Sequence, residues 1–203
     1  MTAGSPWLSG TQSARAGHET TREEHEGGAD VAKAKRGAQS GAATVKTNGM
    51  RALDARGIAY DVFTYDERIH AADEAAAALG VPAGELFKTL VVLAEPGARH
   101  LLVVTPGDRE LDLRRVARAV GAKSAQMAPQ REAERLTGLK VGGISPLALL
   151  DKRFEVYVDV TATALESLYI NGGQRGVNVR VKVADLLAVT GATAIEAIAS
   201  GTE

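Results

Sequence analysis

No cysteine occurs among the 203 residues. This excludes a disulfide scaffold, thiolate zinc sites, iron–sulfur clusters and a cysteine nucleophile, and it fits a reducing compartment. No apolar run approaches the ~18 residues of a membrane span. The first residues also lack the apolar stretch of a secretory signal, so the expectation is a cytoplasmic protein with no membrane partner. A charge excess is missing too: Lys plus Arg number 24 against 25 Asp plus Glu, a net charge of −1. That excludes a basic, DNA-coating protein, though not a local basic face. Several motifs are likewise absent: a GxSxG elbow, a Walker loop, a GxGxxG turn after a strand, and HExxH. Of the four histidines, two lie near the N-terminus, and His70 and His100 stand alone. A histidine-based triad, a histidine-ligated metal and a cofactor are therefore not expected.

What is present, 45% hydrophobic and 24% charged residues, suits one domain with a tail. Residues 1–44 are poor in large aliphatics and rich in Gly, Ala, Ser, Thr, Glu and Lys. They read as a disordered extension, and His18 and His25 among their glutamates as solvated tail rather than a metal site. Residues 45–203 read as an α/β domain. Helices are expected over 46–56, 71–79, 112–120, 129–136 and 183–190, several of them stopped by glycine. Strands are expected at 58–65, 90–94, 101–105, 154–158, 168–170 and 177–181, the second and third joined by the hairpin signal Glu95-Pro96-Gly97. Irregular interleaving with few long crossovers favours a mixed or antiparallel sheet, curled towards a barrel, over a doubly wound one.

With histidine and cysteine set aside, one lysine and two loops remain. Lys88 precedes the apolar run Leu90–Leu93. It is either an edge charge that discourages strand pairing or a fixed cation aimed at an anion or a polarised carbonyl. Gly142, Gly143, Ile144, Ser145 and Pro146 form a loop whose glycines permit close backbone approach to a ligand. The second loop, Asn171-Gly172-Gly173-Gln174-Arg175-Gly176, is most simply a hairpin turn. Residues 112–140 hold seven basic side chains, among them Arg114, Arg115, Arg118 and Lys123, against three acidic ones. This is either a solvated helix face or a phosphate-facing patch.

The segments FKTLVV (87–92), LDLRRVARAVGAK (111–123), TGLKVGGISP (137–146) and NGGQRG (171–176) resemble, in order and spacing, the YbaK/EbsC family. These proteins deacylate mischarged tRNA and are related to the editing domain of prolyl-tRNA synthetase. The resemblance covers about 45–200 and is strongest to the free-standing Cys-tRNA(Pro) and Cys-tRNA(Cys) deacylases. It implies an α/β fold: a mixed, largely antiparallel sheet curled into a partial barrel flanked by helices. The family's essential lysine falls on Lys88, and its GxxxP motif on Gly142 to Pro146. Tyr65 and Asp159 match a tyrosine and an acidic residue of its catalytic set. Asn171, Gly172 and Gly173 fall in the substrate pocket, although Asn171 stands where serine is common and Gln174 where lysine is common.

In this type of enzyme the substrate's own thiol attacks the ester. The protein then needs only to position the substrate and stabilise charge. The implied partners are tRNA(Pro) or tRNA(Cys) and prolyl-tRNA synthetase, with no DNA. Two other readings stay open: a non-catalytic tRNA- or synthetase-binding module, and a deacylase for another small amino acid such as alanine.

Overall fold

The computed structural model describes residues 46–69 and 71–199. The expected extension 1–44 and His70 lie outside the described residues. Helix α1 (Asn48–Asp54) starts where the Thr47 hydroxyl accepts the Met50 N–H, an N-cap that satisfies one of the helix's free donors. Strand β1 (Tyr60–Thr64) follows, then α2 (Ala72–Leu79). β2 (Leu86–Glu95) and β3 (Arg99–Pro106) form the expected hairpin. α3 (Leu113–Ala119) is capped by the Asp112 carboxylate, which accepts from Arg114 and Arg115 N–H. Next come β4 (Ser124–Met127) and α4 (Gln130–Thr137), then β5 (Glu155–Asp159), β6 (Ser167–Gln174) and β7 (Val177–Lys182). α5 (Val183–Thr190) and β8 (Thr193–Ile195) complete the described fold. No helix among these residues is long and apolar enough to cross a membrane.

The strands run in the order β1-β7-β6-β2-β3-β5-β8, with β4 attached to β2. Four of the seven pairings are antiparallel and three parallel. The sheet is mixed and mainly antiparallel, as the hairpin-rich sequence implies. One core cluster joins Met50, Phe87, Val104, Leu147, Leu168 and Ile170. A second packs Val92, Leu101 and Val103 beneath Val116 of α3.

Three details differ from the sequence reading. β2 begins at Leu86, which puts Lys88 inside the strand rather than ahead of it. β4 and β8 were not foreseen: Ser-Ala-Gln-Met lacks β-branched residues, and β8 is only three residues long. The segment Asn171 to Gln174 is not a loop but the end of β6, whose register against β7 shifts there as a bulge.

The feature that creates a site is a break along β2. Its edge away from β3 pairs with β6 only at Leu86 and Phe87, and with β4 from Val92 onward. Ala128 N–H donates to Val91 O at 2.9 Å. Between these contacts, Lys88 to Leu90 pair with β3 but have no strand on this second edge among the described residues. Leu86 O is taken from the other edge by Gly107 N–H, so by alternation the Thr89 N–H and C=O face the gap.

Candidate active site

The gap opens into a cleft of about 400 Å³, bounded by α2, β2 and the loop around Gly142. Such a volume suits a small-molecule or cofactor-sized group. Lys88 lines it half-buried, its Nζ donating to Gly107 O at 3.0 Å. One bond leaves two ammonium N–H groups to face a ligand. Tyr65, just past β1, also lines the cleft, and its N–H is held by Gly176 O at 3.0 Å. Burial pushes its phenol up from the ordinary value, opposed by a hydrogen bond to the Gly176 backbone. At neutral pH it is therefore an uncharged donor or acceptor.

Two neutral polar lining residues, Thr89 and Asn178, carry no signal in the sequence. Thr89 Oγ1 is buried with no hydrogen-bond partner among the described residues. Asn178 is only 2% exposed and sits directly across the ladder from Asn171. Thr89 lay within an apolar run, and a lone threonine there reads as strand. Asn178 alternates with Val177 and Val179 on the side that carries the exposed Arg180 and Lys182, and so reads as solvent face. Its place in β7, between Phe63 of β1 and Asn171 of β6 at the wall of the cleft, is set by the tertiary fold.

The two sequence-predicted loops form one wall. Asn171 Oδ1 accepts from Gly173 N–H at 2.7 Å and Gln174 N–H at 3.0 Å. Its Nδ2 donates to Gly142 O at 2.9 Å and Gln174 O at 3.0 Å. Arg175 Nε adds a bond to Val141 O at 2.6 Å. Close approach explains two glycines: a Cβ on Gly143 would lie 2.9 Å from Arg175 N, and one on Gly173, at φ +100°, would lie 2.6 Å from the Ala148 Cβ. The loop is also tied to α4. Glu134 accepts from Val141 N–H at 3.3 Å and from Lys140 Nζ at 2.8 Å. Lys140, then Gln130 and the Val141 N–H, lower the Glu134 carboxyl to about 2.

Not every expected site residue reaches the cleft. Gly142 and Ile144 line it, but Ser145 and Pro146 are buried behind it. The Gly143 N–H is not a free cradle donor, because it bonds Lys140 O at 2.8 Å. Gly172 turns its carbonyl to the Thr47 hydroxyl, and neither it nor Gly173 lines the cleft. Asp159 is fully buried at the end of β5, where it accepts from Thr161 N–H and hydroxyl and from Ala197 and Ile198 N–H. With both oxygens taken up and no place in the cleft lining, it braces the C-terminal segment instead of facing a ligand, contrary to the expected catalytic role. Arg114, Arg115, Arg118 and Lys123 stand apart from the cleft on α3 and its following turn. Among the described residues no cluster of His, Asp and Glu could hold a metal ion.

Residues 66–189 match the aminoacyl-tRNA editing domain. The chain is 31% identical over 147 residues to the Enterococcus faecalis protein named "Putative Cys-tRNA(Pro)/Cys-tRNA(Cys) deacylase EbsC", covering 71% of this chain and 88% of that one. It is also 36% identical over 80 residues to a proline–tRNA ligase of Nitratidesulfovibrio vulgaris, a match spanning 39% of this chain and 14% of the ligase. Among solved structures it resembles "a putative trans-editing enzyme for prolyl tRNA synthetase", with TM-score 0.67 and 28% identity over 77% of this chain and all of that one.

Proposed function

Because the chain belongs to the aminoacyl-tRNA editing domain family, we propose that it removes the amino acid from mischarged tRNA, with Cys-tRNA(Pro) as its substrate. The observation that carries the reading is the cleft itself. It sets one cation, Lys88, beside neutral polar groups: Tyr65, Thr89, Asn171 and Asn178. Its carboxylate, Asp73, belongs to the exposed first turn of α2. A site with these groups can orient an ester and stabilise charge on its oxygen, but it offers little to deprotonate water.

The nucleophile then comes from the substrate. The cysteine sulfur attacks the ester carbonyl carbon, the bond from that carbon to the ribose oxygen breaks, and the thiol's proton ends on that oxygen. The products are free tRNA and a cyclic thiolactone. Lys88 holds the ribose or the terminal phosphate. The wall formed by Gly142, Ile144 and Asn171 presses the aminoacyl group into a reactive conformation, and such positioning is worth several orders of magnitude in rate. The resemblance to part of a proline–tRNA ligase supports prolyl-tRNA synthetase as the partner that supplies mischarged tRNA.

The test is turnover of Cys-, Ser- and Ala-tRNA(Pro) under matched conditions, with the product identified. Cysteine should be released at least ~100-fold faster than alanine, since a few per cent of a thiol is already thiolate near neutrality. Equal rates on the two would mean that the protein activates water. No release from any of the three would leave only a binding module.

A further inference from the structure

Of the seven basic side chains in 112–140, three are ion-paired and three share a groove, while Arg131 sits on α4 outside both sets. Arg115 pairs with Asp112 and Glu196, Arg135 with Glu132, and Lys140 with Glu134. Arg114, Arg118 and Lys123 line one open groove of about 420 Å³ between α3 and β4. The rest of its lining is Leu113, Ala117, Ala122, Ser124 and Ala125, with no carboxylate. Arg114 and Arg118 are four residues apart on α3, a like-charged spacing that costs helix stability. Lys123 is fixed by backbone: Gly121 turns the chain at φ +65°, and Lys123 N–H donates to Glu95 O at 2.7 Å. Asp112, at the start of α3, acts on Arg114 only from outside this lining. Three cations in one groove, with no carboxylate lining it among the described residues, form a site for a polyanion.

We propose that this groove grips backbone phosphates in the acceptor helix of the same tRNA whose aminoacylated end lies in the cleft; this rests on the editing reading above. β2 is the ruler. Lys88 lies seven residues before Glu95, which pairs with the groove residue Ser124, a span of about 23 Å at about 3.3 Å per residue. At about 3.4 Å per stacked nucleotide, that reaches about seven nucleotides back from the 3′ end, beyond the unpaired terminus and into the duplex. Phosphate contacts there read helix shape rather than sequence. The groove therefore accepts acceptor helices generally and leaves the choice of tRNA to a partner.

The experiment measures the affinity of the full chain for uncharged tRNA(Pro) as a function of salt. The triple variant Arg114→Ala, Arg118→Ala, Lys123→Ala should bind roughly 30- to 100-fold more weakly near physiological salt, with a log–log salt slope smaller by about 2 to 3. A control that removes three exposed charges elsewhere (Arg56→Ala, Arg153→Ala, Lys182→Ala) should stay within about twofold, because nonspecific net charge contributes little at such ionic strength. Melting curves verify that both variants are folded. Unchanged binding by the groove variant, or an equal loss in the control, overturns the proposal. The editing reading fails separately: a wild-type chain that binds tRNA through the groove yet releases no amino acid sinks editing and supports the groove. A chain that edits while its groove variant binds normally sinks the groove alone.

Discussion

Replacing Asn171 by alanine removes the side chain that ties the two halves of the cleft wall. The amide makes four hydrogen bonds, two accepted from Gly173 and Gln174 and two donated to Gly142 O and Gln174 O. At about 1 kcal/mol net each, with part of the loss recovered by water entering from the cleft, the cost is about 2–4 kcal/mol. For a domain of this size 1 kcal/mol moves Tm by about 2–4 °C, so a fall of roughly 4–16 °C is expected. Deacylation should suffer as well, because Gly142 is no longer held against β6. We expect kcat to drop more than KM rises, the mark of lost positioning rather than lost contact. Asn171→Ser, which keeps one donor and one acceptor, should recover part of both losses. The assays are differential scanning calorimetry and single-turnover release from Cys-tRNA(Pro). An alanine variant that melts within about 2 °C of wild type and edits at the same rate would refute the view that the amide holds the wall.

Lys88→Ala should lower kcat/KM by at least about 100-fold while Tm falls by less than about 5 °C, since the side chain makes a single hydrogen bond to Gly107 O. Lys88→Arg should restore little, because a planar fork does not reproduce a compact ammonium; a variant that retains full turnover would remove Lys88 from the reaction. Glu134, lowered from its ordinary 4.5 to about 2, contributes stability that is complete above pH 4.5 and lost as pH falls towards 2. Tm measured across that window should therefore drop less steeply in Glu134→Gln than in wild type, and parallel curves would show that the carboxylate does not anchor Val141.

The sequence exposed the periodic parts of this fold and hid the ones that depend on distant partners. Val183 to Thr190 read as a helix and forms one with those bounds, because its start after a strand and its stop at Gly191 are local signals. The β2–β3 hairpin was equally plain. β4 was invisible, since Ser124–Met127 becomes a strand only through its pairing with β2. The site divides the same way. Lys88, Tyr65, Gly142, Ile144 and Asn171 were singled out and share the cleft. Asp159 stands as a catalytic candidate through the family resemblance alone, and nothing local reveals that backbone donors from Ala197 and Ile198, nearly forty residues on, occupy it. Asn178 alternates with exposed Arg180 and Lys182, so its burial beside the cleft is set by the tertiary fold and not by local pattern.

The glycine contacts behind the cleft bear on how such a site can diverge. Where Gly143 lies against the Arg175 backbone and Gly173 against Ala148, main chain meets main chain or a bare methyl, with no long side chain to trim or exchange. The frame is inherited whole or lost, and it offers no graded series of neighbouring variants. Change in what the cleft accepts is channelled instead to side chains of its lining such as Thr89, Ile144 and Asn178. Divergence in what the cleft accepts therefore acts on the lining, while the glycine contacts keep the frame that presents it.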